Sequence, residues 1–489
     1  MELKMMMNWL VLLIFGGLVL VFGVLKRLND WYYEAKLGKL WPKLPPGHMG
    51  WPFLGSSLSF IKDYTAGRPR SFLKTLQIRH GKADMYKTHL LGRACVIVYT
   101  PEICRQVLTN EEIFIPSLPK NIVILSGRKS LMQVTKAEHR RLRRLTTAPV
   151  SSHTALEMYI NDIEQTVMNG LEEWASMKSP IELLNEMKKL TFKVIWNIFM
   201  GSTSSMGENE SSLFYEVAAG FLSLPINFPG FGFHKSFKAR EKLMERLQCI
   251  IDEKRSMKTR KGENWEAKDT MDLLIDVKDE DGEELDDETI RDLIFGKLFA
   301  GHETSAYTAM WAVLFLTDHP HTFQKAKEEQ EELIRRRPST QKGINLSEFK
   351  QMKYLSQVID ETLRVGSITS LLYRETTIDV EINGKIIPKG WRVLPWLSEL
   401  YMNETSFSSP QDFNPSRWDN VRVKPGAFVP FGLGNRLCPG SDLAKLEISI
   451  FLHYFLLNYK VERLNPKSKL TYAPFPHPED KCLARVFKV

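Results

Sequence analysis

Ten residues near the C-terminus, FGLGNRLCPG at positions 431–440, constrain this chain more than any other segment. They place Cys438 between a glycine-punctuated loop and an apolar run, residues 443–457, that reads as a helix starting near Ser441. A cysteine at a helix N-terminus feels the helix dipole and nearby amides, which stabilise its thiolate. Gly434 and Gly440 permit positive φ and let backbone N–H groups approach the sulfur, and such bonds tune a metal-bound thiolate. Arg436, two residues before the cysteine, can offset an anionic group in the same pocket through a bidentate contact. An inert cysteine in a turn is the plain alternative, and the spacing F-x-x-G-x-R-x-C-x-G is too particular for it. The other cysteines, Cys95, Cys104, Cys249 and Cys482, form no CxxC, and the total of five is odd. A disulfide framework is therefore not expected, the compartment reads as reducing, and a site with one thiolate is favoured over one with several.

With 489 residues, 43% hydrophobic and 25% charged, the chain is neither disordered, collagen-like nor a polytopic membrane protein. Its net charge of +8, from 66 basic and 58 acidic residues, is too diffuse to argue for nucleic acid, and no nucleic-acid partner is expected. Residues 9–25 (WLVLLIFGGLVLVFGVL) carry no charge. With the preceding methionines the apolar stretch reaches about 31 Å as helix, enough to cross a bilayer once. A cleaved signal peptide or a buried core helix would be the alternatives. No small-x-small site follows; Lys26, Arg27, Lys36, Lys39 and Lys43 follow instead, which puts the bulk of the chain in the cytosol. The expected organisation is an anchor over residues 1–27, a Pro/Gly-rich linker over 28–52 and one globular body over 53–489.

Helical runs should fill residues 136–335, broken at Pro149, Pro180, Gly201 and the loop PINFPGFGF at 225–233. That loop carries three phenylalanines of exposed type and reads equally as a core loop or as a membrane contact. An acidic loop, VKDEDGEELDDE at 277–288, precedes a long apolar helix ending near Asp318, its charges favoured by the helix dipole. Strands are expected around VIVY (96–99) and in 371–395, with a turn at Asn383-Gly384. The fold class is mainly α with a minor β part.

Within the long helix stands Ala300-Gly301-His302-Glu303-Thr304. A mid-helix glycine costs roughly 1 kcal/mol relative to alanine, so a reason for it is expected. A threonine hydroxyl can bond the carbonyl four residues back and bend the helix, opening a polar notch. His302 has no second ligand on its face and reads as structural or substrate-facing. Glu361 and Arg364 lie one turn apart and can pair, with Phe413-Asn414-Pro415-Ser416-Arg417-Trp418 following. Residues 136–144 (KAEHRRLRR) form a strongly basic helix on which His139 and Arg143 share a face.

Together these motifs resemble those of the cytochrome P450 monooxygenases, over residues 40–489. The resemblance implies the cytochrome P450 fold with a single-pass N-terminal anchor. It implies haem b, with Cys438 as the axial thiolate to iron and Phe431, Gly434, Arg436 and Gly440 shaping the loop. By the same resemblance Thr304 and Glu303, with water, supply protons for oxygen activation. Glu361, Arg364 and Arg417 fix the fold behind the haem, and His139, Arg143 and Arg374 meet its propionates. Arg140, Arg141 and Arg144 on the opposite face form a docking patch for an acidic electron donor, NADPH–cytochrome P450 reductase. Within the family, the text LPPGHMGWPFLG, VKDEDG, IPKGW and CPGSDLAKLEISIFLHYFL looks most like the plant microsomal members that oxidise ent-kaurenoic acid and beta-amyrin. Residues 110–135 and 365–373 look unlike the diterpenoid oxidases. The expected activity is oxygen insertion into a C–H bond of a lipophilic polycyclic terpenoid, triterpenoid before diterpenoid, at the endoplasmic reticulum membrane. A haem-thiolate isomerase and a membrane-tethered haem carrier are the rival readings; the Glu303-Thr304 pair argues against the first, and that helix notch with the basic face against the second.

Overall fold

Strand-forming runs occur early and late in the chain, and pairing between them decides how it is partitioned. The structure is a computed structural model that describes residues 2–201, 208–221, 223–419, 423–472 and 475–489; the side chains of residues 2–14, 18–20, 22, 26, 208 and 209 are outside the description. One compact unit joins Met1–Ser117 to Leu371–Leu400, and the other joins Leu118–Ser370 to Tyr401–Val489. The sequence carries no linker-like text at these crossings, so it reads as one body.

The first unit is built on a hairpin. Met85–Leu90 pairs antiparallel with Arg93–Val98 across a turn in which Leu91 (φ 50°) and Gly92 (φ 75°) both take positive φ, the twist that suits right-handed strands. Arg93–Val98 then pairs in parallel with Arg392–Pro395, far along the chain, and Arg374–Thr376 and Phe114–Pro116 complete a five-stranded sheet. Phe72, Leu76, Tyr86, Ile97 and Trp396 are buried against it. The expected turn at Asn383-Gly384 closes the hairpin of Val380–Ile382 with Lys385–Ile387, again with positive φ at both residues (50° and 72°).

Helix α1 (Glu2–Leu37) runs well past residue 27, because nothing before Gly38 breaks it. A 3-10 turn, Gly38–Lys43, follows, so irregular chain is confined to the C-terminal part of the expected linker. Asn29 donates to the Met49 carbonyl (3.2 Å) and Asp30 accepts from the Met49 amide (3.0 Å), which ties that segment back onto α1. Among the described residues no helix is long and apolar enough to cross a membrane. Most side chains of residues 9–25, on which the expected anchor rests, lie outside the described set.

The second unit is helical. It includes α2 (Lys136–Ser151), α3 (His153–Ser176), α4 (Leu183–Met200), α5 (Asp287–Asp318), α6 (Lys353–Gly366) and α7 (Ser441–Asn458). Pro149 does not end a helix: it sits in the last turn of α2. The boundary is Ser152, extended in ψ, whose hydroxyl accepts from the Ala155 amide (3.2 Å) and caps α3. Asp286 caps α5 by accepting from the Thr289 amide (2.9 Å), as the acidic loop foretells. Helix α5 packs on α4, α6 and α7 and is buried on nearly every face. In the loop at 225–233, Phe228 and Phe231 are exposed but Phe233 is buried, because the helix Gly232–Lys261 starts there and turns that ring into the core.

Candidate active site

The cysteine loop is shaped by backbone hydrogen bonds. The Cys438 amide donates to the Phe431 carbonyl (2.8 Å), closing the loop onto itself. Positive φ falls on Gly432 (78°) and Gly434 (66°), where the chain turns. Gly440 does not need it: at φ −102° it is the residue before α7. A Cβ at Gly440 would meet nothing within 4 Å.

Helix α2 holds this loop in place. Arg143 Nη1 donates to the carbonyls of Asn435 (3.0 Å) and Leu437 (2.6 Å), and the Ser151 hydroxyl donates to the Pro439 carbonyl. Arg436 reaches the carbonyls of Leu131 (3.1 Å) and Val134 (2.8 Å), anchoring the segment that leads into α2. His139 is buried on the same helix. Burial pushes the Cys438 thiol up, while the Gly440 amide and the Arg143 charge oppose the rise. Such a thiol stays protonated on its own and becomes a thiolate on binding a metal.

On α5 the Thr304 hydroxyl donates to the Ala300 carbonyl (2.7 Å), the local bond expected of the notch. Gly301 has a packing reason: a Cβ there would stand 3.2 Å from the Ile195 side chain of α4. Thr191 of α4 donates to the His302 carbonyl (2.9 Å). His302 is core. Its ring is fully buried among Phe192, Phe214 and Phe299, its Nδ1 meets the Leu298 carbonyl (3.0 Å), and burial lowers its pKa to about 4. Glu303 is buried and ion-paired with Lys188 of α4 (2.8 Å), whose ammonium also lies over the Tyr307 ring.

The Glu361 carboxylate gathers five donors. Arg364 gives two (3.0 and 2.7 Å), Arg417 one (2.8 Å), the Asn414 amide one (3.0 Å) and the Trp418 indole one (3.1 Å). Both arginines also donate to carbonyls of the stretch 401–412, namely Tyr401, Pro410 and Asp412 for Arg364 and Ser408, Ser409 and Asp412 for Arg417.

A match to the cytochrome P450 family model covers residues 45–476. The chain belongs to the cytochrome P450 family. It is 51% identical to the beta-amyrin 11-oxidase of Glycyrrhiza uralensis, over 96% of each chain. It is 47% identical to the (1S)-1-hydroxy-luvungin A synthase of Citrus sinensis and 46% identical to the ent-kaurenoic acid oxidase 2 of Arabidopsis thaliana, over 99% of each chain in both cases. Among solved structures it resembles the retinoic-acid-bound cyanobacterial CYP120A1, with a TM-score of 0.81 and 28% identity over 91% of this chain and 99% of that one. As a cytochrome P450 the protein is an oxidoreductase of the monooxygenase class that carries haem with a cysteine thiolate on iron.

The residues present fit that cofactor. Ala300 is exposed and Gly301 and Thr304 are half-buried while Leu298, His302, Glu303 and Ser305 around them are buried, and Leu437 is exposed beside the thiol. These apolar surfaces, the uncrowded Gly440 and a single soft ligand suit a flat apolar ring. The cysteine loop, α2 and α5 all belong to the second unit. Arg374 lies in the first, on the strand Arg374–Thr376, where its Nη1 meets the Tyr373 carbonyl (3.0 Å). The expected docking patch on α2 is partly engaged: Asp279 of the acidic loop holds Arg141 (2.6 Å) and Glu280 holds Arg144 (2.6 Å), while Arg140 is exposed. Sequence reading had no signal for Lys188, which comes to Glu303 from 115 residues away.

Proposed function

We propose that this cytochrome P450 inserts an oxygen atom from O2 into a C–H bond of a polycyclic triterpenoid. Electrons come from NADPH through a separate reductase that meets the basic face of α2. The body faces the cytosol from the endoplasmic reticulum membrane, tethered by residues 1–27. The observation that carries the substrate class is the 51% identity with a beta-amyrin oxidase along nearly all of both chains, against 46% with an ent-kaurenoic acid oxidase. The charge-free run at 9–25 and the basic residues after it support the tether and its orientation.

Haem, when bound, would supply the reductive activation of dioxygen, one atom of which goes to the substrate and the other to water. The chain's residues divide the remaining work. Cys438 would hold the haem iron through its thiolate, and the amide of Gly440 and the guanidinium of Arg143 would stabilise the negative charge on that sulfur. His139, Arg143 and Arg436 would balance the propionates. Thr304 holds a proton at its Oγ1 within the notch, and Glu303 stands behind it as the acid of the pair. Co-expression with a plant reductase, feeding of beta-amyrin, related triterpenoids and ent-kaurenoic acid, and mass spectrometry of the products test this reading. The expected result is an NADPH-dependent product, heavier by one oxygen or its oxidation successors, from a triterpenoid. Turnover of ent-kaurenoic acid alone would move the protein to the diterpenoid oxidases, the second reading that the 46% relative supports.

A further inference from the structure

Between Lys297 and Ser305, five residues of α5 escape full burial: four share one arc, and the fifth, Phe299, packs against the core on the far side. At about 100° per residue, Lys297, Ala300, Gly301 and Thr304 fall within one arc of about 100°, while Leu298, His302, Glu303 and Ser305 are buried. Lys297 therefore shares the accessible face of Thr304 and stands about 10 Å along the axis from it. Its Nζ donates to the Thr146 carbonyl (2.8 Å) on α2, the helix that also carries His139 and Arg143.

No carboxylate among the described residues pairs with this ammonium. The acids of α5 near it are engaged elsewhere: Glu288 with Lys129, Asp292 with Arg240 and Glu303 with Lys188. On α2, Glu138 is held by Arg141. Burial alone brings Lys297 down to about 7, with no neighbouring charge acting on it. A compact, strongly hydrated cation taken out of water with one carbonyl as partner is costly, and an incoming anion relieves that cost.

We infer that Lys297 is a carboxylate-binding residue on the accessible face of α5, its ligand being a haem propionate or the carboxylate of a terpenoid acid. The four-carbon arm swings the ammonium from the Thr146 carbonyl to that group. The propionate source rests on family membership alone; the terpenoid source rests on the proposed function and would extend the substrate class to acids.

The test uses the purified holoenzyme, Lys297→Met and Lys297→Arg. Spectral titrations compare oleanolic acid with beta-amyrin and ent-kaurenoic acid with ent-kaurenol, each pair differing chiefly at one carboxylate. Haem transfer to excess apomyoglobin is timed in parallel. If the ligand is a terpenoid acid, Lys297→Met weakens binding of the acids about tenfold, the effect of one charge-assisted bond. The neutral partners are unaffected, and Lys297→Arg restores the difference. If it is a propionate, Lys297→Met speeds haem loss about tenfold, Lys297→Arg reverses this, and the acid preference is unchanged. Unchanged haem loss with unchanged acid preference makes Lys297 a clamp on Thr146 and overturns the inference. If wild type binds none of the four compounds the terpenoid reading fails, and the rate of haem loss still decides the role of Lys297. Should Lys297→Met fail to fold, Lys297→Gln replaces it in both measurements.

Discussion

Replacing Glu361 by glutamine is the sharpest single perturbation of this fold, because it keeps the shape and changes only what the group can accept. One carboxylate oxygen accepts from Arg364 Nη2, Arg417 Nε and the Asn414 amide; the other accepts from Arg364 Nε and the Trp418 indole. All five partners are donors. A glutamine NH2 in either orientation faces two or three of them with a donor of its own, and the charge that balances two guanidinium groups is gone. Glu361 and Arg364 are fully buried and Arg417 is 7% exposed, so water does not repair the loss. Breaking a buried pair of this kind costs about 3–5 kcal/mol, a large part of the roughly 5–15 kcal/mol that holds a domain together. The melting temperature should fall by roughly 3–7 °C. The arginines also grip the carbonyls of the stretch 401–412, upstream of Cys438, so haem retention should fall with it. Circular dichroism melts and the Soret band of purified protein read both. A Glu361→Gln protein that melts within about 1 °C of wild type would refute the claim that the carboxylate is the hub. A cycle with Arg417→Met then apportions the cost between the two arginines.

Cys438→Ala should abolish the thiolate-type band of the reduced carbon monoxide complex; an unchanged band would remove Cys438 as the ligand. Thr304→Ala deletes the hydroxyl bonded to Ala300, and NADPH consumption should shift severalfold from product to hydrogen peroxide, measured in a reconstituted assay with reductase. Glu447 on α7 is buried with neither carboxylate oxygen making a close bond among the described residues, and burial, opposed only by the Ser305 hydroxyl, raises it from 4.5 to about 8. The native state then keeps a proton that the unfolded chain releases. Its stabilising contribution is full below 4.5 and is lost as pH rises through about 8. Relative to wild type, Glu447→Gln should gain stability across that window, as pH-dependent thermal melts would show; parallel curves would contradict it.

Legibility from sequence followed the range of the interactions. The cysteine loop, the Thr304–Ala300 bond and the Glu361–Arg364 pair are local, so spacing alone places them. The cap of α5 by Asp286 and the turn at Asn383-Gly384 are local too. Elements set by distant partners escaped. The two compact units arise from a parallel pairing between Arg93–Val98 and Arg392–Pro395, and no run of residues announces which strands will meet. Phe233 looked like its loop neighbours until a helix start turned it inward. Gly440 and Gly434 are the same residue in one motif, yet only the second turns the chain at positive φ. The basic run at 136–144 read as a free docking face because its acidic partners, Asp279 and Glu280, lie in a remote loop.

The acid–alcohol pair shows why adjacency in a motif is not adjacency in space. Glu303 is buried while Thr304 is only half-buried, so the two neighbours do not share the notch. Thr304 takes the accessible arc, with its hydroxyl on Ala300. Glu303 points to α4, where Lys188 neutralises it and the Tyr307 ring flanks the ammonium. The proton relay proposed above thus draws on Thr304, Glu303 and the Lys188 that holds Glu303, three residues from two helices. In that proposal Thr304 stands at the end where the proton is used, and Glu303, held by Lys188, at the end where it is supplied.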